Sequence, residues 1–428
     1  MVAVKIGIFS DTHIARAVPR QIGDARREAY RHAFSQSIDR FIDEGVGVIA
    51  NVGDIFEKRS MGPEDSVFVK EELFRAFEGI RDKIGKSPHI FILRGNHDGS
   101  AEGNTIDYIR HPMAKYVTVA AGGVDDTAVY ANDDVVIIGV SFDRYLKRKV
   151  LNAADFVKKT FAANPGKLKV ILVHGFIQGY HPIPKGTPEH TYTNVDDLAV
   201  LGPDLVISGH YHVPLDPLVV GKDHKTTFLN AGATEAENIG ESAEYGVHII
   251  EGVDKIRFVP LVPLQKIVNV HVDSAGAVKP VEWYVSQAKV DAEREVKLFQ
   301  AEGKDGIFRV SLDGLTGEDP FVISDLLGRA YEDLKRKNSR LIYAEIVNNV
   351  NNIVKHSDPT MYASGADFAS NVVEPIGMAN LSNATAVISE VSAALDNRAS
   401  KKTGLLTDGD RAIFVKKWTD ILEKVDKP

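Results

Sequence analysis

The amino-acid sequence predicts an α/β layered protein: a large domain in which strands and helices alternate, then a smaller α/β unit, then a helical C-terminal region. Two observations carry this. Short runs rich in Val and Ile recur as far as residue 208 with almost no polar alternation, which is the pattern of strands buried on both faces. Between them lie helix-length stretches with apolar residues at helical spacing.

In order, the runs are Val2–Phe9, Val46–Asn51, His89–Leu93, Val135–Val140, Lys169–Val173 and Leu205–Ser208. After the first, Asp24 is placed to cap a helix whose Tyr30, Phe34, Ile38, Phe41 and Ile42 share a face, and Gly45 ends it. Pro63 opens the next helix, with Val67, Phe68, Phe74, Phe77 and Ile80 as its apolar face. The pattern changes near Pro260 and Pro263, where the following VDSAGAVKP reads as a boundary made of turns. Beyond it, a helix near Val281–Phe299, a strand GIFRVSLDG, a helix FVISDLLGRAYEDLKRK and a strand RLIYAEIV form the smaller unit. From Asn348 the chain is richer in Asn, Ser and Ala, with helical pieces at Ala384–Leu395 and Asp410–Lys424. The expected domains are 1–262, 263–350 and 351–428.

With 428 residues, 44% hydrophobic and 26% charged, the chain has a globular composition, and fibrous and disordered classes are excluded. No apolar run reaches the roughly 18 residues that a membrane helix needs. The opening MVAVKIGIFSDTH breaks its apolar run with an acid, unlike a signal peptide, so a cytoplasmic protein is expected. The absence of Cys removes disulfides, thiolate catalysis and thiolate metal sites together. A formal charge of −8 argues against a nucleic-acid partner on average. Locally the balance differs: Arg16, Arg20, Arg26, Arg27 and Arg31 stand against only Asp24 and Glu28, and bound cations would add positive charge at a site.

Five motifs carry chemistry: SDTH (Asp11, His13), GDIFE (Asp54), RGNHD (Asn96, His97), VHG (His174) and SGHYH (His210, His212). Each follows an apolar run, which puts them together at the carboxyl ends of strands, where ligands bind in α/β sheets. Any one motif alone is more often structural; five in series are not. Asp, Asn and His without Cys suit Mn, Fe or Zn in open coordination. Seven ligands are enough for two ions. We assign Asp11, His13, His212 and a bridging Asp54 to the first, and Asp54, Asn96, His174 and His210 to the second. Such a pair, roughly 3.5–4 Å apart, activates water and stabilises both oxygens of an in-line phosphoryl displacement. His97 is then the candidate general acid for the leaving oxygen, and Arg94 a candidate contact for a phosphate oxygen. His32, His181, His190 and His224 show no such pattern and are expected to be structural.

This series resembles the calcineurin-like metallophosphoesterase superfamily across about residues 1–250. Within it, the likeness is to the SbcD-type double-strand-break repair nucleases, the meiotic-recombination-eleven family. FSDTHIAR with its following helix, GDIFEKRSMGPE, and NAGATEAENIGESAEYGVHIIE with its strand pair carry the narrower match. The resemblance implies a four-layer β-sandwich flanked by helices, with an α/β capping domain that helps set DNA geometry. It places the seven metal ligands on Asp11, His13, Asp54, Asn96, His174, His210 and His212, and the leaving-group histidine on His97. One departure matters: where the family often carries a His three residues after the GD aspartate, this chain has Glu57. A carboxylate there repels phosphate unless it is protonated or held away, so the balance of exo- and endonuclease action stays open.

The expected function is therefore that of a manganese-dependent DNA nuclease, a hydrolase acting in double-strand-break repair or recombination. Its implied partners are DNA, an SMC-like ATPase of the SbcC type, and a second copy of the chain as a homodimer. Ala384–Leu395 and Ala412–Leu422 are the candidate docking helices for the ATPase; Ile413, Phe414, Val415, Trp418, Ile421 and Leu422 form an apolar stripe on the latter. Two alternatives stand beside this: a phosphodiesterase or phosphatase for small molecules, and an architectural protein that tethers DNA ends and hydrolyses poorly.

Overall fold

The computed structural model describes residues 4–58, 62–99, 114–120, 127–241, 243–353 and 416. The expected C-terminal docking helices lie outside the described residues, apart from Lys416. The chain forms two compact units. The larger takes the described residues up to 272 together with 285–312 and 324–348; the smaller takes 273–284, 313–323 and the described part of 349–428.

The larger unit contains two six-stranded sheets. The first runs β14 (Ile256–Pro260), β13 (Gly246–Ile250), β1 (Ile6–Phe9), β2 (Val48–Asn51), β3 (His89–Leu93), β4 (Val117–Ala120). The second runs β11 (Leu215–Val220), β12 (Thr226–Asn230), β10 (Leu205–Gly209), β7 (Leu168–His174), β6 (Val135–Val140), β5 (Thr127–Ala131). A short pair, β8 (Ile177–Gln178) and β9 (Thr193–Asn194), lies in the loops. The interior strands β1 to β4 are parallel in register, as are β6, β7, β10 and β12.

Alternate residues of each interior strand enter different cores, which is why the runs show no polar alternation. Ile8, Val48, Ala50, Phe91 and Leu93 meet Val135, Ile137, Val170, Leu172 and Ile207 between the sheets. The other face of the first sheet, with Phe9, Ile49, Ile90 and Ile92, packs on helices α1 (Gly23–Glu44) and α2 (Pro63–Ile84). The other face of the second sheet, with Ile138 and Ile171, packs on α3 (Leu146–Ala162) and α4 (Val195–Ala199). Helix, sheet, sheet, helix: the four-layer expectation holds.

Two local expectations are corrected. Asp24 does not cap α1. Ile22 holds the cap position without a side-chain bond, and Asp24 sits in the first turn, accepting from Arg27 at 2.8 Å. On α2, Val67 and Phe74 are exposed; the buried stripe is Val69, Leu73, Ala76, Phe77 and Ile80, at the spacing one helical face requires.

Beyond the sandwich come β15 (Gln265–Val278), α5 (Val281–Glu302), β16 (Asp305–Thr316), α6 (Phe321–Lys337) and β17 (Leu341–Asn352), with strand order β15-β16-β17. The VDSAGAVKP stretch is thus strand up to Val278, not a run of turns. Ala275 and Gly276 take positive φ inside the strand, bending it without ending it. Within the larger unit, Phe299, Ile307, Phe308, Val310 and Tyr331 are buried, with Phe308 and Tyr331 edge to face at 5.5 Å. Within the smaller unit, the Tyr284 hydroxyl donates to the Leu315 carbonyl at 3.1 Å. No described helix is long and apolar enough to cross a membrane.

Candidate metal centre

The motif residues all lie at the carboxyl ends of parallel strands, but on two sheets. Asp11 and His13 follow β1, Asp54 follows β2, Asn96 and His97 follow β3; His174 ends β7, and His210 and His212 follow β10. The rim expected of one open sheet is here the joint edge of a sandwich. Asp11, His13, Asp54 and His174 are each at most 1% exposed.

The side chains converge in two groups. In the first, Nε2 of His13 and Nε2 of His212 face each other at 3.4 Å, with Asp11 Oδ1 4.0 and 3.5 Å from them. In the second, His174 Nε2 lies 3.3 Å from Asp54 Oδ2 and 3.1 Å from Asn96 Oδ1, which is also 2.9 Å from His210 Nδ1. Ring nitrogens and carboxylate oxygens aimed at common points, with no sulfur among them, fit hard or borderline divalent cations.

The backbone is strained to achieve this. Asp11, His13, Asp54 and His210 have φ of 48°, 41°, 52° and 82°, a region that side-chain-bearing residues rarely occupy. Each is held there by its own amide, which donates to another member of the site: Asp11 to the Gly53 carbonyl (3.0 Å), His13 to the Asp54 carbonyl (3.1 Å), Asp54 to Asp98 Oδ2 (2.9 Å), and His210 to Asp11 Oδ2 (3.0 Å). Glycines make room. Gly53 has φ 108°, and a Cβ on it would stand 2.1 Å from His174 Nδ1; on Gly95 it would stand 2.0 Å from Asp54 Oδ1.

The rear nitrogens of three rings are also engaged, which fixes ring orientation. His174 Nδ1 donates to the Val52 carbonyl at 2.7 Å, His212 Nδ1 lies 2.5 Å from Glu237 Oε2, and His13 Nδ1 lies 3.2 Å from Glu57 Oε2. Burial alone would push His174 and His212 down. The neighbouring carboxylates overcome it and hold them at about 9 and about 10. Glu237 responds in the opposite sense, since its bond to His212 outweighs burial and lowers it to about 2. His210, buried beside the positive His174, falls to about 4. In the metal-free centre, protons on His174 and His212 balance the carboxylates as a cation would.

His97 packs edge-on against His13 at 4.9 Å, and its Nδ1 donates to the Glu57 carbonyl at 2.9 Å. That leaves Nε2 as the end available to a substrate. Arg94 differs from its expected role. Its Nη1 and Nη2 donate to the Gly99 and Phe142 carbonyls, both at 2.6 Å, so it ties two loops together and would have to release one to reach a phosphate. The Arg-rich segment is similarly committed. Arg26 is buried against Glu235, Gln265 and the Ala236 carbonyl, Arg31 pairs with Asp65, and Arg16 pairs with Glu57 and Glu237. Arg20, Arg27 and Lys58 instead line a cavity of about 690 Å³ beside Glu57, together with the first turn of α1.

Sequence reasoning missed Glu237 and the role of Asp98. Glu237 is 25 residues past His212 in no local pattern, so only folding reveals the pair. Asp98 was visible in the RGNHD motif; its carboxylate accepts from the Asp54, Gly95 and Phe56 amides and joins two site loops. Burial and the nearby Asp54 push it up to about 6. His181 is structural, as expected: buried, it accepts from the Ile177 amide at 2.9 Å.

Among known proteins, residues 4–214 match the family model of the calcineurin-like phosphoesterases. No curated protein matches the chain. Solved structures similar to it include a dimetal phosphatase from Danio rerio (10% identity, TM-score 0.38, 58% of this chain and 92% of that one). Another is a purple acid phosphatase from yellow lupin seeds (14% identity, TM-score 0.38, 58% of this chain), about half of whose length (49%) is spanned. These likenesses are too distant to transfer an activity. Over residues 4–214, which hold every candidate ligand from Asp11 to His212, the chain is a calcineurin-like metallophosphoesterase.

Proposed function

We propose that the protein is a two-metal phosphodiesterase that cleaves DNA, with manganese as its working ion. The convergence of His13, His212 and Asp11 in one group and Asp54, Asn96, His174 and His210 in a second is the observation that carries this reading. Asp54 is assigned to both groups as the bridge. What a divalent pair supplies at such a site is Lewis acidity toward the phosphoryl oxygens and a nucleophile at neutral pH.

The chain's own residues do the rest. The amides of His97 and His210 hold the Asp54 and Asp11 carboxylates in place, at 2.8 and 3.0 Å. His97, whose Nδ1 proton is committed to the Glu57 carbonyl, takes a second proton at Nε2 and delivers it to the leaving oxygen. Arg20 and Lys58 in the adjoining cavity face the flanking phosphates of a polyanion. On the same reading the protein acts as a homodimer beside an SMC-like ATPase of the SbcC type, in break repair or recombination.

One observation favours a second reading, a phosphoesterase for small molecules. Three of the five clustered arginines are turned to internal acids, so the surface left for duplex DNA is smaller than the sequence suggests. A single assay separates the two. The protein with Mn2+ is given end-labelled duplex and single-stranded DNA, and in parallel bis-p-nitrophenyl phosphate, with a His97→Ala control. Cleavage of both, lost in the control, supports the nuclease; cleavage of the small ester alone removes it. DNA binding without any cleavage points to an architectural role.

A further inference from the structure

We propose that Arg16 is a positioning residue that sets the affinity of one half of the metal centre, the Asp11–His13–His212 half, by clasping the two carboxylates that orient its histidines. This rests on the two-metal reading above.

All three guanidinium nitrogens are used. Nη1 donates to Glu57 Oε1 and Oε2, both at 2.9 Å; Nη2 pairs with Glu237 Oε1 at 2.9 Å; Nε donates to the Glu237 carbonyl at 3.3 Å. The other side of each carboxylate then meets a rear ring nitrogen. Glu57 Oε2 reaches His13 Nδ1, and Glu237 Oε2 reaches His212 Nδ1. The front nitrogens of those same two rings are the pair that face each other beside Asp11. One planar fork thus aligns two ligands drawn from opposite sheets and from chain positions 199 residues apart.

The other half of the centre has no such device. His174 is fixed by a backbone carbonyl, and His210 uses Nδ1 toward Asn96. The clasp also accounts for two carboxylate–histidine clusters, His13–Glu57–His97 and His212–Glu237–Glu241, whose spacing would otherwise suit further cations. Arg16 already supplies positive charge to Glu57 and Glu237. It further explains how Glu57 is tolerated beside a phosphate site: its charge is paired with Arg16 and turned toward His13.

Lysine would keep the charge but not the fork, so Arg16→Lys separates positioning from simple neutralisation. The test is an equilibrium Mn2+ titration, with free ion counted by electron paramagnetic resonance, on the wild type, Arg16→Lys and Glu237→Gln. The wild type should take up two ions. In Arg16→Lys one site should keep its affinity while the other weakens about 10- to 100-fold, and Glu237→Gln should weaken the same single site. A wild type that takes up fewer than two ions sinks the two-metal reading itself, before any variant is compared. Given two ions in the wild type, an unchanged Arg16→Lys curve, or equal weakening of both sites, overturns the role of Arg16. A purely structural arginine would lower the melting temperature and leave the split between sites alone. Should Arg16→Lys fail to fold, Glu237→Gln decides, and unchanged binding at both sites overturns the proposal.

Discussion

His97 has one ring nitrogen committed to the Glu57 carbonyl and the other open, so its loss should spare the metal centre and strike the chemistry. His97→Ala should lower kcat about 10²- to 10⁴-fold while Mn2+ uptake stays at the wild-type level, measured on bis-p-nitrophenyl phosphate and by metal titration. His174 and His212 give a second prediction. Both are held protonated below about 9 and about 10 in the metal-free protein, whereas ligation needs neutral rings. Mn2+ uptake at pH 7 should therefore release protons, and affinity should rise with pH until those groups have titrated. Calorimetry in buffers of different ionisation enthalpy reads this directly. The seven candidate ligands and His97 were legible in the sequence because their chemistry needs particular side chains at particular strand ends. Arg16, Glu57 and Glu237 were not legible as a unit, because their pairing is created by folding and leaves no spacing to read.

At the scale of elements, the strand–loop junctions are where folding energy is invested. Gly53, between β2 and Asp54, has a left-handed backbone and touches His174. Gly53→Ala should cost on the order of 1–3 kcal/mol from strain alone, plus displacement of the His174 ring, read as a lower melting temperature and weaker metal binding. The cavity at the start of α1 gives an independent prediction. Arg20→Ala with Lys58→Ala should raise KM for DNA and increase the salt sensitivity of binding little further, while leaving turnover of the small ester near wild type. A parallel loss on the small ester would place those cations in the core of the centre instead. The interior strands were readable to within a few residues, since burial on both faces makes them continuously apolar. The face of α2 was misread at Val67 and Phe74, because an exposed apolar residue looks the same in sequence as a buried one.

For the whole molecule, three histidines outside the centre are buried and neutral: His89, His181 and His248 all lie near 4, each mainly because burial disfavours the charged ring. Unfolded, each would titrate near the ordinary value of 6.5, so between about 6.5 and about 4 the unfolded chain binds more protons than the native one. Their contribution to stability is present in full above that window and is lost as pH falls through it. Melting temperature should fall from pH 7 to pH 5, and His248→Gln should flatten the slope. Layering was legible from alternating strands and helices; the pairing of two sheets into one rim was not, since strand runs carry no mark of which sheet they join. The central claim is that this rim holds two divalent ions. Anomalous diffraction at the manganese edge, from crystals grown with Mn2+, tests it most directly. Two peaks are expected, one among Asp11, His13 and His212 and one among Asn96, His174 and His210, with Asp54 against both. A single peak, no peak, or peaks away from these side chains would contradict it.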